Sequence, residues 1–124
     1  MMRCLVIDDS EVIRRVARRL LEELGFEVVE AEDAGHALAA CRVEMPDLII
    51  VDWLLPSMSG CDFLVRLRAL VEGRKPVVIY CTSEYEEAAV AVARAAGADD
   101  ILLKPFDRHS LAASLAAAGV AMPA

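Results

Sequence analysis

A chain of 124 residues, 57% of them hydrophobic, is long enough to close one well-filled core and too short for two ordinary domains. Its formal net charge of −7 sets it against phosphate backbones, which are engaged by concentrated Lys and Arg, so nucleic-acid binding is not expected. The apolar stretch Cys4 to Ile7 runs straight into Asp8-Asp9, too short for a signal peptide or a membrane span, so no membrane association is expected either.

The first element reads as a strand, Cys4 to Ile7, short, apolar and rich in β-branched residues. A helix follows, with Ile13, Val16, Ala17, Leu20 and Leu24 on one face and Arg14, Arg15, Arg18, Glu22 and Glu23 on the other, stopped by Gly25 as a C-cap. A weaker strand is expected at Glu27 to Glu30, then a helix near Ala34 to Cys41 and a strongly apolar strand at Leu48 to Val51. Next come a helix over Cys61 to Glu72, a strand over Val77 to Cys81 and a helix over Tyr85 to Ala96. A weak strand at Ile101 to Leu103, introduced by Gly97-Ala98-Asp99-Asp100, precedes a helix from Asp107 to Ala118. The tail after Gly119 starts no further element, so residues 1–124 are expected to form one domain with no output domain behind it.

Five strands alternating with five helices predict an α/β fold with a parallel sheet covered by helices on both faces, because each parallel pair needs a right-handed crossover. Cys4, Cys41, Cys61 and Cys81 are scattered, with no CxxC pair and no Cys/His spacing suited to zinc. They read as reduced, mostly buried thiols of a cytoplasmic protein.

In an open parallel sheet, ligands bind beyond the carboxyl ends of the strands. After the first strand comes Asp8-Asp9, after the third Asp52, after the fourth Thr82-Ser83 and after the fifth Lys104-Pro105. Three carboxylates, a hydroxyl and an ammonium thus converge on one edge. Mg²⁺ prefers oxygen ligands from carboxylates, water and phosphate, which Asp8, Asp9 and Asp52 supply. An Asp52 oxygen then attacks phosphorus to form an acyl phosphate, while Lys104 and the Thr82 hydroxyl stabilise phosphoryl oxygens.

The acidic pair Asp8-Asp9, the run from Leu48 through Asp52-Trp53-Leu54-Leu55-Pro56 to Gly60, the segment Cys81-Thr82-Ser83 and the end Lys104-Pro105-Phe106 fall in a familiar order. Over nearly its whole length the chain resembles the receiver domain of two-component response regulators. The spacings agree with that pattern, 30 positions from Asp52 to Thr82 and 22 from Thr82 to Lys104. The resemblance implies a (βα)5, flavodoxin-like fold with strand order 2-1-3-4-5. It also implies phosphorylation on Asp52 by a histidine kinase or a histidine phosphotransfer protein. Mg²⁺ would be bound mainly by Asp9 and Asp52, with Asp8 acting through water and the backbone carbonyl of Leu54 completing the shell. The Lys104-Pro105 bond would be cis. Such a protein is a signalling phosphoacceptor rather than an enzyme, and it either relays phosphate or acts as a diffusible regulator; the sequence leaves both open.

Two departures stand out. Receivers often carry Tyr or Phe three residues before the Lys, and here that position is Ile101, so the usual aromatic readout is in doubt. Leu54 and Glu84 occupy positions that tune phosphoryl lifetime in the family.

Each site residue has an ordinary alternative. Asp9 or Ser10 would suit a helix cap, Asp52 a turn, Thr82 or Ser83 the cap of the fourth helix, and Lys104 the surface. Four such residues in order, at strand ends and with matching spacing, outweigh those alternatives. His36 and His109 read as solvated histidines. Arg14, Arg15, Arg18 and Arg19 form either a kinase-docking face or a solvated stripe balanced by Glu22 and Glu23, and Phe106 is either a partner contact or half-buried under the last helix. Two competing functions share the fold: an interaction module that never turns over phosphate, and a flavodoxin-like cofactor binder. The second would want a Ser/Thr/Gly-rich loop after the first strand, where Asp8-Asp9-Ser10-Glu11 would repel a phosphate.

Overall fold

The computed structural model describes residues 2–70 and 75–121. In chain order the elements are β1 (Arg3–Ile7), α1 (Glu11–Glu23), β2 (Glu27–Ala31), α2 (Ala34–Val43), β3 (Leu48–Asp52), α3 (Gly60–Leu70), β4 (Val77–Thr82), α4 (Glu87–Ala96), β5 (Asp100–Leu103) and α5 (Arg108–Ala117). The strands form one parallel sheet in the order β2-β1-β3-β4-β5. The order reverses between β1 and β3, which opens a crevice at their carboxyl ends.

Period-two alternation along each strand divides the core between the two faces of the sheet. Leu5, Ile7, Ile49, Val51, Val78 and Tyr80 face one way and pack with buried residues of α2, α3 and α4, among them Leu38, Phe63, Leu67 and Ala93. Cys4, Val6, Leu48, Ile50, Ile79, Cys81 and Leu102 face the other way, against Ala17 and Leu21 of α1 and Leu111 and Leu115 of α5. Because β3 is covered on both sides, all five of its residues are buried, and that includes the carboxylate at its end.

The helix boundaries follow local chemistry. Ser10 caps α1, its hydroxyl accepting from the Ile13 N–H, and Asp33 caps α2 by accepting from the His36 N–H. Asp107 and Ser110 make a reciprocal capping box at the start of α5. At the end of α1 the C-cap is Leu24, still right-handed, and Gly25 stands one position beyond it, with φ of 96°. The Gly25 N–H reaches the Glu22 carbonyl and the Phe26 N–H reaches the Leu21 carbonyl, so the left-handed residue is the one after the cap. Gly97, with φ of 116°, ends α4 through the same pair of bonds.

Several boundaries differ from expectation. α4 starts at Glu87 instead of Tyr85, because the Thr82 hydroxyl folds residues 82–84 into a turn with Glu84, and Glu86 becomes the cap. α2 runs two residues past Cys41, to Val43, and α3 begins at Gly60. The expected end of that helix at Glu72 lies outside the described residues, as do the last residues of the tail.

The first-helix arginines are paired. Arg14 and Arg18 both reach Glu30 of β2, at 3.2 and 2.9 Å, while Arg15 and Arg19 meet Glu11 and Glu23 on α1 itself. Phe106 is half-buried against the face shared by α1 and α5. No helix among the described residues is long and apolar enough to cross a membrane.

Gly60 opens α3 directly beneath the ring of Trp53, where an added Cβ would overlap Trp53 Cε3. The ring is itself held against Tyr80, so it cannot swing clear without repacking. A Gly60→Ala substitution is therefore expected to destabilise the domain by about 1–3 kcal/mol, as overpacking does. Urea unfolding would show it as a lower midpoint at unchanged slope.

Candidate functional site

The carboxyl ends of β1, β3, β4 and β5 bring the polar residues together. Asp8 directly follows β1 and is 3% exposed; Asp52 is the last residue of β3 and is 7% exposed. Carboxylates so deeply placed need partners. One oxygen of Asp8 accepts from the Ser10 N–H at 2.9 Å, and the other accepts from the Lys104 ammonium at 2.6 Å. Asp52 Oδ1 accepts from the Leu54 N–H at 3.2 Å, and Oδ2 lies 3.4 Å from Lys104 Nζ. Lys104 therefore bridges the two buried acids, and it enters the site from β5, where its own N–H donates to the Thr82 carbonyl. The Lys104-Pro105 peptide bond is cis.

Asp9 is exposed, yet it offers an oxygen within 4.8 Å of ligand atoms on Asp8 and Asp52. Three carboxylates against one ammonium leave two formal negative charges in a small space. The charge and the hard oxygen donors fit a divalent cation of the Mg²⁺ kind. Electrostatics agree with that crowding. Burial and the neighbouring Asp8 charge push the Asp52 pKa above the ordinary carboxylate value, against the opposing pull of Lys104 and the Leu54 N–H. For Lys104, burial alone would lower the pKa, but the Asp8 hydrogen bond and the charges of Asp52 and Asp8 outweigh it and hold the ammonium above its usual range.

Thr82 is 8% exposed at the end of β4. Its hydroxyl donates to the Glu84 carbonyl at 3.2 Å and accepts from the Glu84 N–H at 3.3 Å. Leu54 is 75% exposed on the β3–α3 loop, and Glu84 is exposed on the β4–α4 loop, so the two stand on opposite rims of the site. The alternatives weighed for these residues divide: Ser10, not Asp9, is the cap of α1; Thr82 makes a turn but caps nothing; and Lys104 is far from an ordinary surface lysine, at 17% side-chain exposure.

Four free thiols are present, three of them buried, and burial pushes the Cys41 and Cys81 pKa values up to about 11 and about 12. Such thiols are unreactive packing groups. His36 is exposed, as expected, but it stands beside Glu32 and Asp33, its Nδ1 3.5 and 3.2 Å from their carboxylates. Sequence reasoning missed that grouping; acidic residues three and four positions before a His at a helix start are the signal that would have found it. One Asp33 oxygen is already committed to capping α2. Tyr80 was also missed. The sequence pattern marks it only as part of a strand, whereas its ring lies 4.2 Å, centroid to centroid and edge-on, from Trp53, the residue after Asp52.

Comparison with known proteins bears on this arrangement. A family model described as the response regulator receiver domain matches residues 4–116. The phosphate regulon transcriptional regulatory protein PhoB of Escherichia coli (strain K12) is 37% identical over 115 residues, covering 93% of this chain and 50% of that protein. The chain thus spans about half the length of PhoB. Chemotaxis protein CheY-3 of Vibrio cholerae is 33% identical over 111 residues, covering 89% of this chain and 85% of that protein. The solved structure of the chemotaxis response regulator CheY4 of Vibrio cholerae superposes with a TM-score of 0.88 at 30% identity, covering 95% of this chain and 98% of that one. With the acidic cluster, the bridging lysine and the 2-1-3-4-5 sheet in place, the chain belongs to the response regulator receiver domain family.

Proposed function

We propose that this receiver domain takes a phosphoryl group on Asp52 from a phosphohistidine donor, a histidine kinase or a histidine phosphotransfer protein, with Mg²⁺ as cofactor. The observation that carries the reading is Asp52 itself: a buried carboxylate at a strand end, 3.4 Å from an ammonium and clustered with two further acids. A structural aspartate has no use for two more carboxylates beside it. Asp9 and Asp52, the Leu54 backbone carbonyl, and Asp8 through water would hold the cation, which when bound neutralises phosphoryl charge.

The protein's own groups do the rest. A carboxylate oxygen of Asp52 attacks phosphorus, the new bond is an acyl phosphate, and the bond from phosphorus to the donor nitrogen breaks with its electron pair passing to the imidazole. Lys104 exchanges part of its contact with Asp8 for a phosphoryl oxygen, and the Thr82 hydroxyl turns from Glu84 to another. Since Asp52 is itself the acceptor, the domain acts on itself rather than turning over a separate substrate. Phosphorylation then either changes protein contacts or is followed by transfer onward. The reading places the chain in the cytoplasm, in keeping with its free thiols.

Incubation with acetyl phosphate and Mg²⁺, followed by intact-protein mass spectrometry, tests the assignment. One phosphoryl adduct is expected in the wild type, none in Asp52→Asn, and at least a tenfold loss of adduct in Lys104→Ala; an undiminished adduct in Asp52→Asn would place the acceptor elsewhere. Titration of Mg²⁺ should show an affinity at least several-fold weaker in Asp9→Ala, and an unaltered isotherm would remove Asp9 from the metal site.

The site also opposes folding. A carboxyl group whose folded pKa is raised subtracts stability as pH climbs through its unfolded value and on to its folded one, because only the unfolded chain ionises it freely. The penalty is absent in acid and grows as pH climbs above the ordinary Asp range. Without Mg²⁺, Asp52→Asn should accordingly raise Tm at pH 7 by about 2–5 °C, where about 1 kcal/mol shifts Tm by about 4 °C in a domain this size. Calorimetry should find the gap closing below about pH 4, the ordinary Asp range, and narrowing at pH 7 when Mg²⁺ stabilises the wild type.

A further inference from the structure

Asp8 is held at every polar group. Its N–H donates to the Ala31 carbonyl at 3.2 Å, its carboxylate accepts from the Ser10 N–H and from Lys104, and its carbonyl accepts from Arg14 Nη1 at 2.7 Å. The last of these bonds is short and charge-assisted. Arg14 stands near the start of α1, and helical side chains lean toward the helix N-terminus, so its guanidinium comes back to the end of β1. Nε of the same group lies 3.2 Å from Glu30 of β2, and Glu30 is held in turn by Arg18 at 2.9 Å. The Arg14 fork is thus fixed at two points, a carboxylate on one strand and a main-chain carbonyl at the end of the next, with its side chain only 14% exposed.

The Asp8 carbonyl belongs to the peptide unit that joins Asp8 to Asp9. That unit is planar, so holding its oxygen fixes the direction in which the Asp9 Cα leaves. Asp9 depends on this more than its neighbours do. Among the described residues, the hydrogen bonds of the site reach the carboxylates of Asp8 and Asp52, and none reaches that of Asp9. Asp9 is exposed, yet it presents an oxygen within 4.8 Å of ligand atoms on Asp8 and Asp52, and its backbone is what brings it there. The other arginines of α1 are engaged elsewhere: Arg15 with Glu11, Arg18 with Glu30 and the Val28 carbonyl, Arg19 with Glu23.

We infer that Arg14 is a positioning residue for cation binding: its guanidinium, anchored by Glu30, clamps the Asp8 carbonyl and so fixes the peptide plane that aims Asp9 at the cation site. This rests on the reading of Asp9 and Asp52 as ligands of Mg²⁺. Charge alone makes the opposite prediction. A positive group beside an acidic cluster repels a cation, so removing it would tighten Mg²⁺ binding, whereas loss of positioning weakens it. Arg14→Met keeps the aliphatic stem and removes every donor, while Arg14→Lys keeps the charge but cannot span Asp8 and Glu30 with one planar fork. Calorimetric titration of the unphosphorylated full chain with Mg²⁺ would compare the wild type, these two variants, Asp9→Ala and the Asp9→Ala, Arg14→Met double variant, with urea unfolding of each as the check on folding.

Arg14→Met should bind Mg²⁺ about three- to tenfold more weakly, at or below the low end of what losing a supporting partner costs a metal ligand. The weakening should persist at raised KCl, which screens the charge contribution. On the Asp9→Ala background the same substitution should have no further effect, since there is then no carboxylate to aim. Arg14→Lys should fall between Arg14→Met and the wild type, and it carries the test if Arg14→Met does not fold, because a charge-only role predicts no change in it. Wild-type or tighter binding in the folded Arg14 variants would overturn the proposal, as would a weakening that persists in full without Asp9. A wild type that binds no Mg²⁺, or an Asp9→Ala isotherm identical to it, is a different result and would sink the metal-site reading together with this one.

Discussion

The ammonium of Lys104 lies 2.6 Å from Asp8 and 3.4 Å from Asp52, and it ties residues 96 positions apart in the chain. Two carboxylates at 3% and 7% exposure repel one another and lose hydration, and the ammonium between them offsets both costs. The rest of the architecture serves that placement. β1, β3 and β5 must end level with one another, and the cis Lys104-Pro105 bond follows at the end of β5. The parallel register achieves the alignment, with Ile7 opposite Val51, Asp52 opposite Cys81 and Thr82 opposite Leu103.

The bridge leaves the cluster undercompensated, and the proposed function draws on that imbalance. A fully neutralised site would be more stable and would have no appetite for a divalent cation or a phosphoryl group. The protein accepts a penalty at Asp52, visible in its raised pKa, and the two helix-covered faces of the sheet must supply the stability that the site subtracts. Aromatic packing is concentrated on the same side of the site. Trp53, Tyr80 and Gly60 lock the start of α3 to β3 and β4, so the loop that carries Leu54 leaves from a rigid base.

Much of this was legible beforehand because the informative signals are local. Runs such as Leu48 to Val51 are long enough to mark strands, and the Gly25 and Gly97 stops mark helix ends through the backbone conformation they permit. Polar residues placed immediately after apolar runs announce the site edge, which is how Asp8, Asp9, Asp52, Thr82 and Lys104 were found. Boundaries were less legible where side chains compete with the helix: the Thr82 turn delays α4, and nothing in the composition of residues 82–86 says so. The family resemblance points to an aromatic ring at position 101, where this chain has Ile. The structure sets Ile101 opposite Tyr80 in the β4–β5 ladder, both packed toward the face that carries α2, α3 and α4, so the ring stands one strand over from where the resemblance places it.

The sequence by itself determined the element order, the parallel α/β class and the set of residues gathered at the strand ends, because hydrophobic period and turn chemistry act over a few neighbouring residues. Only the tertiary structure decided that Lys104 reaches Asp8 more closely than Asp52, that the arginines of α1 are spent on Glu30, Glu11 and Glu23, and that Tyr80 meets Trp53. Those contacts depend on strand register and on which side chains are left facing one another once both faces of the sheet are filled, and no local pattern carries that information.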